Sequence, residues 1–288
     1  MPDLPRLKPD PIPAIHPVPE YAATGPLADV YARTREGLGV PWMGVVAMAF
    51  AHYPQFYDRL WAALEPVAGT EDFRKACAMT RSVAEEQAAR LGPHSLLPQL
   101  VSLGYSPREI DEIRACNEVF SAGNMPYLLM ATLARRLLEG HDWHGTGSMT
   151  PARTRPIPAP KPVLIEPHHA DPTTQALYAD IRDTLGLPFV NTDYRAFARW
   201  PSYFHPAWDD LKQGIWSPGY EAAVTQVHDA ALSAVDTLQN AAKLTPADLI
   251  EAARRDATLP EVLSVVRLFQ WLLPGLATNV AYLRAQLA

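Results

Sequence analysis

The feature that most constrains this chain is that it carries one pattern twice. Displaced by 147 residues along itself, Tyr31 falls on Tyr178, Leu38-Gly39 on Leu185-Gly186, Pro41 on Pro188, and Ala49-Phe50-Ala51 on Ala196-Phe197-Ala198; Pro54, Trp61 and Leu64 then meet Pro201, Trp208 and Leu211 without a gap. Of the 34 positions from Tyr31 to Leu64, twelve are identical, where average residue usage gives about two by chance. The repeat is longer than a solenoid unit, whose period is typically about 20 to 50 residues, so each copy is expected to be half of a pseudo-twofold globular protein. Within the matched block the copies disagree at one telling place. Val46 in the first copy stands opposite Asp193 in the second, and a carboxylate in one copy only predicts an asymmetric site on a symmetric scaffold.

The chain has 288 residues, 48% of them hydrophobic, enough for two halves packed on one another. Its net charge of −6 is spread without runs of one sign, and no basic stripe points to nucleic acid. The longest nearly apolar stretch, Val40 to Ala51, is short of the roughly 20 residues a membrane-spanning helix needs, and the N-terminus lacks the pattern of a signal peptide. A cytoplasmic location and no membrane partner are therefore expected. Cys77 and Cys116 form no spaced motif and read as small buried hydrophobes.

Proline marks the boundaries. Seven prolines lie between Pro2 and Pro19 and seven between Pro151 and Pro172, and such stretches favour extended backbone. The expected organisation is a surface arm over 1–26, a first helical repeat over 27–145, a linker over 146–172 and a second repeat over 173–288. Leu27, Val30, Tyr31 and Leu38 fall at helical spacing with Gly39 and Pro41 as the stop, and Ala176 to Leu185 reads the same way before Gly186 and Pro188. Ser106-Pro107 and Thr245-Pro246 are helix starts. Strand signals are nearly absent, so the predicted fold is all-α, in two tandem helical repeats.

No serine elbow, phosphate-cradling glycine loop, dinucleotide fingerprint or Cys-x-x-Cys is present. His141, His144, His168 and His169 sit among glycines and prolines that mark exposed loop, without the converging set zinc requires. Neither metal nor organic cofactor is expected.

Two stretches remain. Asp193, in Asn191-Thr192-Asp193-Tyr194-Arg195-Ala196-Phe197, is a residue type that commonly caps a helix start, yet Val46 shows that the turn can be built without it. Gly123-Asn124-Met125-Pro126, following a helix expected to end near Phe120, reads as a helix C-cap and turn; a buried Asn124 amide would instead be suited to holding a water.

Together with Val40-Pro41-Trp42, these stretches resemble the group I 2-haloacid dehalogenases, hydrolases acting on both D- and L-2-haloalkanoic acids. The resemblance runs from about Leu27 to Ala288, rests most firmly on Gly123-Asn124 with Tyr127-Leu128-Leu129 and on Asp193 with Tyr194, Ala196, Ala198 and Trp200-Pro201, and implies an all-α fold of two tandem helical repeats forming a pseudo-dimer with the active site between them. It places the essential carboxylate on Asp193, the water-holding asparagine on Asn124, a pocket tryptophan on Trp42 and a small hydroxyl residue on Thr192. Val45 replaces an aromatic of the family's pocket. A helical Thr–Glu pair of the family falls near Thr80 and on Glu85, with the hydroxyl one residue out of register, so only Glu85 is carried over; Arg195 and Arg199 replace neutral polar residues.

The implied chemistry is direct attack by water on the halogen-bearing carbon, Asp193 taking the proton as the C–O bond forms and Asn124 fixing the water's orientation. The product is a 2-hydroxy acid of inverted configuration, with no ester intermediate. Backbone N–H groups at a helix start could hold the substrate carboxylate. Partners are thus a small 2-haloacid and water, with a homodimer possible. An all-α decarboxylase or peroxidase is the competing enzyme, disfavoured by the missing Cys-x-x-Cys; a non-catalytic pseudo-dimer that binds a small carboxylate or a partner protein is the competing class.

Overall fold

The computed structural model describes residues 4–152 and 159–288. Residues 1–3 of the expected arm and 153–158 of the expected linker lie outside it. Among the described residues the fold is all-α. The first half carries α1 (Pro26–Leu38), α2 (Val45–Phe50), α3 (Pro54–Ala68), α4 (Glu71–Arg90), α5 (Leu97–Ser102) and α6 (Pro107–Leu138). The second carries α7 (Pro172–Leu185), α8 (Thr192–Phe197), α9 (Pro201–Trp216), α10 (Tyr220–Thr237), α11 (Pro246–Asp256) and α12 (Leu259–Ala285).

Local chemistry fixes the ends. Ser106 and Glu109 form a capping box at α6, and Thr245 and Asp248 form one at α11, each satisfying two amide donors that a helix start leaves free. Gly39 and Gly186 end α1 and α7 at φ 68° and 62°, a left-handed conformation that a side chain would strain.

The helix expected to stop near Phe120 does not stop. α6 runs through Gly123, Asn124 and Pro126 to Leu138. Proline removes one helical donor and crowds the preceding turn, but from Phe120 to Leu138 nearly every residue of α6 is buried, and packing on three sides outweighs the local break. α12 contains Pro274 in the same way.

Helix pairings come in exchanged couples: α6 packs on α8 and α12 on α2, α12 on α4 and α6 on α10, α1 on α3 and α7 on α9. Such exchanged couples are what a twofold relation between the repeats would give, the α6–α12 and α4–α10 pairs being their own counterparts. One core results, centred on Trp61, Trp208, Phe50, Phe120 and Tyr194.

Along the N-terminal arm the described residues are exposed or half-buried except for Leu4. Leu4 is buried; its carbonyl accepts from His228 Nε2 at 2.7 Å, while the Pro5 carbonyl accepts from Arg135 Nη1 at 3.0 Å. The arm thereby seals one end of the α6–α10–α12 packing. No helix among the described residues is long and apolar enough to cross a membrane.

Candidate active site

Asp193 is the second residue of α8 and Asn124 lies in the middle of α6, and the α6–α8 contact brings them together. Asn124 Nδ2 donates to Asp193 Oδ1 at 2.7 Å. Both side chains are buried, Asp193 at 2% and Asn124 at 4% exposure. Matching Pro126 with Pro274 places Leu272 opposite Asn124, just as Val46 stands opposite Asp193. The repeat-related positions are both apolar, so this polar pair has no counterpart across the repeat.

Burial pushes the Asp193 carboxyl up to about 6, against an ordinary value of 3.8; the Asn124 amide, its own backbone N–H and the Arg195 charge pull it back down. The pull from Arg195 is weakened, because its Nη1 donates to both oxygens of Glu166, at 2.8 and 2.6 Å. A carboxylate poised near 6 is a stronger base than an exposed aspartate and still ionised at neutral pH. If Asp193 must be ionised to accept a proton, turnover should be half-maximal near pH 6 and fall about tenfold per pH unit below that. A pH profile of kcat/KM, which reports the free enzyme, checks this expectation.

The other expected site residues are placed unevenly. Trp42 is buried and rests edge-on against Phe120, with ring centroids 5.0 Å apart, and its carbonyl accepts from the Tyr127 hydroxyl at 2.7 Å. A Cβ on Gly123 would lie 2.3 Å from Trp42 Cη2; only glycine lets the indole approach the helix beside Asn124. Thr192 opens α8, and its Oγ1 accepts from Arg195 Nη2 at 3.3 Å. Val45 opens α2, half-buried against the core; Tyr127 ties that opening to α6 by accepting the Gly44 N–H at 2.8 Å. Glu85, on α4, is engaged by arginines. It accepts from Arg81 Nε at 2.9 Å and Arg284 Nη1 at 3.1 Å, in an ion-pair cluster shared with Glu118. Arg199 stacks over Trp200, 4.8 Å from its centroid, and faces Glu112 at 3.7 Å.

Two cavities flank α8. One of about 940 Å³ runs along the α6 face that carries Glu112, Cys116, Val119 and Gly123, and meets α8 at Ala196. Both cysteines line it, half-buried rather than sunk in the core. Burial, then the nearby Asp193 charge, raises the Cys116 thiol to about 12, so it stays protonated. The other cavity, of about 270 Å³, is lined by Asn191 and Tyr194 on the opposite side of α8. Sequence reasoning passed over Asn191 and Tyr203, whose Oδ1 and Oη are buried without hydrogen-bond partners. The repeat held a signal for both: they stand opposite Gly44 and Phe56, which offer no polar side chain. Among the described residues no group of three His, Cys, Asp or Glu is placed to hold a metal.

The geometry thus brings together a buried carboxylate and an amide on an all-α scaffold. The comparisons with known proteins give the class. The chain is 49% identical over 244 residues to an (R)-2-haloacid dehalogenase of Rhizobium sp. (strain NHG3), spanning 84% of this chain and 95% of that one. It is 27% identical over 223 residues to a configuration-inverting 2-haloacid dehalogenase of Pseudomonas sp. (strain 113), spanning 74% and 72%. A solved structure of a D-2-haloacid dehalogenase in complex with L-LA matches it with a TM-score of 0.92 and 36% identity, over 99% of this chain and all of that one. No family model matches. The chain belongs to the 2-haloacid dehalogenase family and is a hydrolase acting on carbon–halogen bonds.

Proposed function

We propose that this enzyme hydrolyses (R)-2-haloalkanoic acids to (S)-2-hydroxy acids by direct attack of a water that Asp193 deprotonates. The observation that carries the reading is the buried Asn124–Asp193 hydrogen bond at 2.7 Å, a polar pair whose repeat-related positions are the apolar Leu272 and Val46. Asn124 commits one N–H to the carboxylate and has a second N–H and a carbonyl with which to orient a water. As the water oxygen bonds to C2 from the face opposite the halogen, its proton passes to Asp193 and the halide leaves with the bonding pair. Inversion follows from that geometry. The residues proposed to line the pocket are Trp42, Val45 and Thr192; Glu85, engaged with two arginines, is left out.

Family resemblance in the sequence extends to both enantiomers. The relatives named for R or D substrates favour the R enantiomer, and the proposal is narrowed accordingly. The non-catalytic alternative has no observation in its favour.

Chiral chromatography of the products from each pure enantiomer of 2-chloropropionate tests the reading. (R)-2-Chloropropionate should give (S)-lactate, and the S enantiomer should react at least about tenfold more slowly; (R)-lactate from the R substrate, or equal rates, would refute the proposal. Val45→Phe should narrow tolerance toward 2-chlorobutyrate, since an apolar wall discriminates one CH₂ by about 1 to 3 kcal/mol.

A further inference from the structure

The smaller cavity is the twofold counterpart of a space that is filled in the first half. There, the Tyr127 ring occupies the gap between α6 and the chain at Gly44: a Cβ on Gly44 would lie 2.8 Å from that ring, and the Gly44 N–H donates to the Tyr127 hydroxyl. In the second half the sizes are exchanged, with Gly275 opposite Tyr127 and Asn191 opposite Gly44. Asn191 is smaller than tyrosine, and a cavity of about 270 Å³ remains.

Its walls are chemically specific. Arg6 enters from the N-terminal arm with its side chain only 6% exposed. Its Nε donates to the Trp271 carbonyl at 3.1 Å and its Nη1 to Glu221 at 2.6 Å. Nη2 reaches the cavity floor, 3.6 Å from where a Gly275 Cβ would sit. Glu221 is the opposing charge, but it is 74% exposed and screened by water; Lys8 Nζ, 5.4 Å from the centroid of the Trp271 ring, adds a second cation near the mouth. The Tyr194 hydroxyl accepts from Asn279 Nδ2 at 2.9 Å, which leaves its proton to give. Asn191, 7% exposed, contributes an Oδ1 with no hydrogen-bond partner.

We infer that this cavity is a second, non-catalytic site for a small 2-hydroxy acid, its carboxylate taken by Arg6 Nη2 and the Tyr194 hydroxyl and its 2-hydroxyl donated to Asn191 Oδ1. The ligand class rests on the proposed reaction. A buried acceptor wants a donor: a 2-haloacid has none at C2, and its hydrolysis product has one. The cavity therefore favours product over substrate, and its occupant would lie behind the helix that carries Asp193.

Calorimetric titration of the full chain with (S)-lactate tests this directly. Two equivalents should bind to the wild type, and one to Arg6→Gln and to Gly275→Leu, the latter filling the cavity from a helix position whose Cβ meets nothing closer than 3.4 Å. On the Asp193→Asn protein, where turnover is removed, 2-chloropropionate should bind at the second site at least about tenfold more weakly than lactate, the loss of roughly one hydrogen bond. A wild-type stoichiometry of one, or a second equivalent that survives both substitutions, overturns the inference. If two lactates bind while no halide is released from 2-chloropropionate, the catalytic reading fails and this site stands.

Discussion

Asp193→Asn should lower halide release by roughly two to four orders of magnitude, the range that removal of a positioned general base typically produces, while making the protein more stable at neutral pH. The two effects share one cause. Burial has raised the folded-state carboxyl to about 6 from 3.8, so below pH 4 the group is protonated both folded and unfolded and burial carries no charge penalty. As pH rises from 4 to 6 the unfolded chain ionises first, and native stability is lost; above 6 the loss is complete. A carboxyl raised that far weakens the fold by about 3 kcal/mol once it is ionised. The asparagine variant avoids that loss, because an amide is neutral at every pH and can still bond Asn124. Denaturant unfolding of both proteins at pH 4 and pH 8 should show a gain for the variant only at pH 8. A gain independent of pH would show that the carboxylate is not held at a cost, and near-normal halide release would remove Asp193 from the chemistry.

Gly123→Ala should destabilise the fold and damage turnover together, although alanine is the better helix former by about 1 kcal/mol. The new Cβ would fall 2.3 Å from Trp42 Cη2, closer than any real contact. The indole cannot swing aside freely, since it is packed against Phe120 and Tyr127 and its carbonyl is held by the Tyr127 hydroxyl. Overpacking of this kind typically costs about 1 to 3 kcal/mol beyond what is regained. Because Gly123 adjoins Asn124, the displaced helix should carry the amide off the water and lower turnover at least about tenfold. Gly275→Ala, at the corresponding stretch of α12, is the contrasting case: its Cβ would meet Tyr220 Oη at 3.4 Å and Arg6 Nη2 at 3.6 Å, ordinary contacts, so that variant should gain up to about 1 kcal/mol. Opposite shifts in thermal midpoint would confirm the pair; a stable, fully active Gly123→Ala would show that Trp42 does not fix α6.

What could be read from the chain, and what could not, follows from the range of the forces involved. Caps at Ser106 and Thr245, glycine stops at Gly39 and Gly186, and the helical spacing of Leu27 to Leu38 are local and appear in the structure where local rules put them. The passage of α6 through Pro126 is not local. Proline is read as a stop from its own geometry, and only the burial supplied by helices more than a hundred residues away keeps that helix continuous. Asp193 stood out because duplication gave the sequence an internal control, and the structure pairs its buried carboxylate with Asn124. The same control reaches Asn191 and Tyr203, which stand opposite a glycine and a phenylalanine, but a gained charge is conspicuous between two copies and a gained hydrogen-bonding atom is not. Glu85 was carried over by resemblance alone, and the structure adds that Arg81 and Arg284 donate to its carboxylate, a pairing across α4 and α12 that no local rule gives. Arg6 was invisible as a site residue, since nothing in a proline-rich arm says which cavity it enters.

In the proposed reaction water, and not the Asp193 carboxylate, attacks the substrate carbon. A single turnover of (R)-2-chloropropionate with enzyme in excess in 18O-labelled water distinguishes the two, because a covalent ester would return a carboxylate oxygen to the product and leave solvent oxygen in the protein. Direct attack predicts the label in the hydroxyl of (S)-lactate and none in the enzyme; unlabelled lactate together with 18O in Asp193 would contradict it.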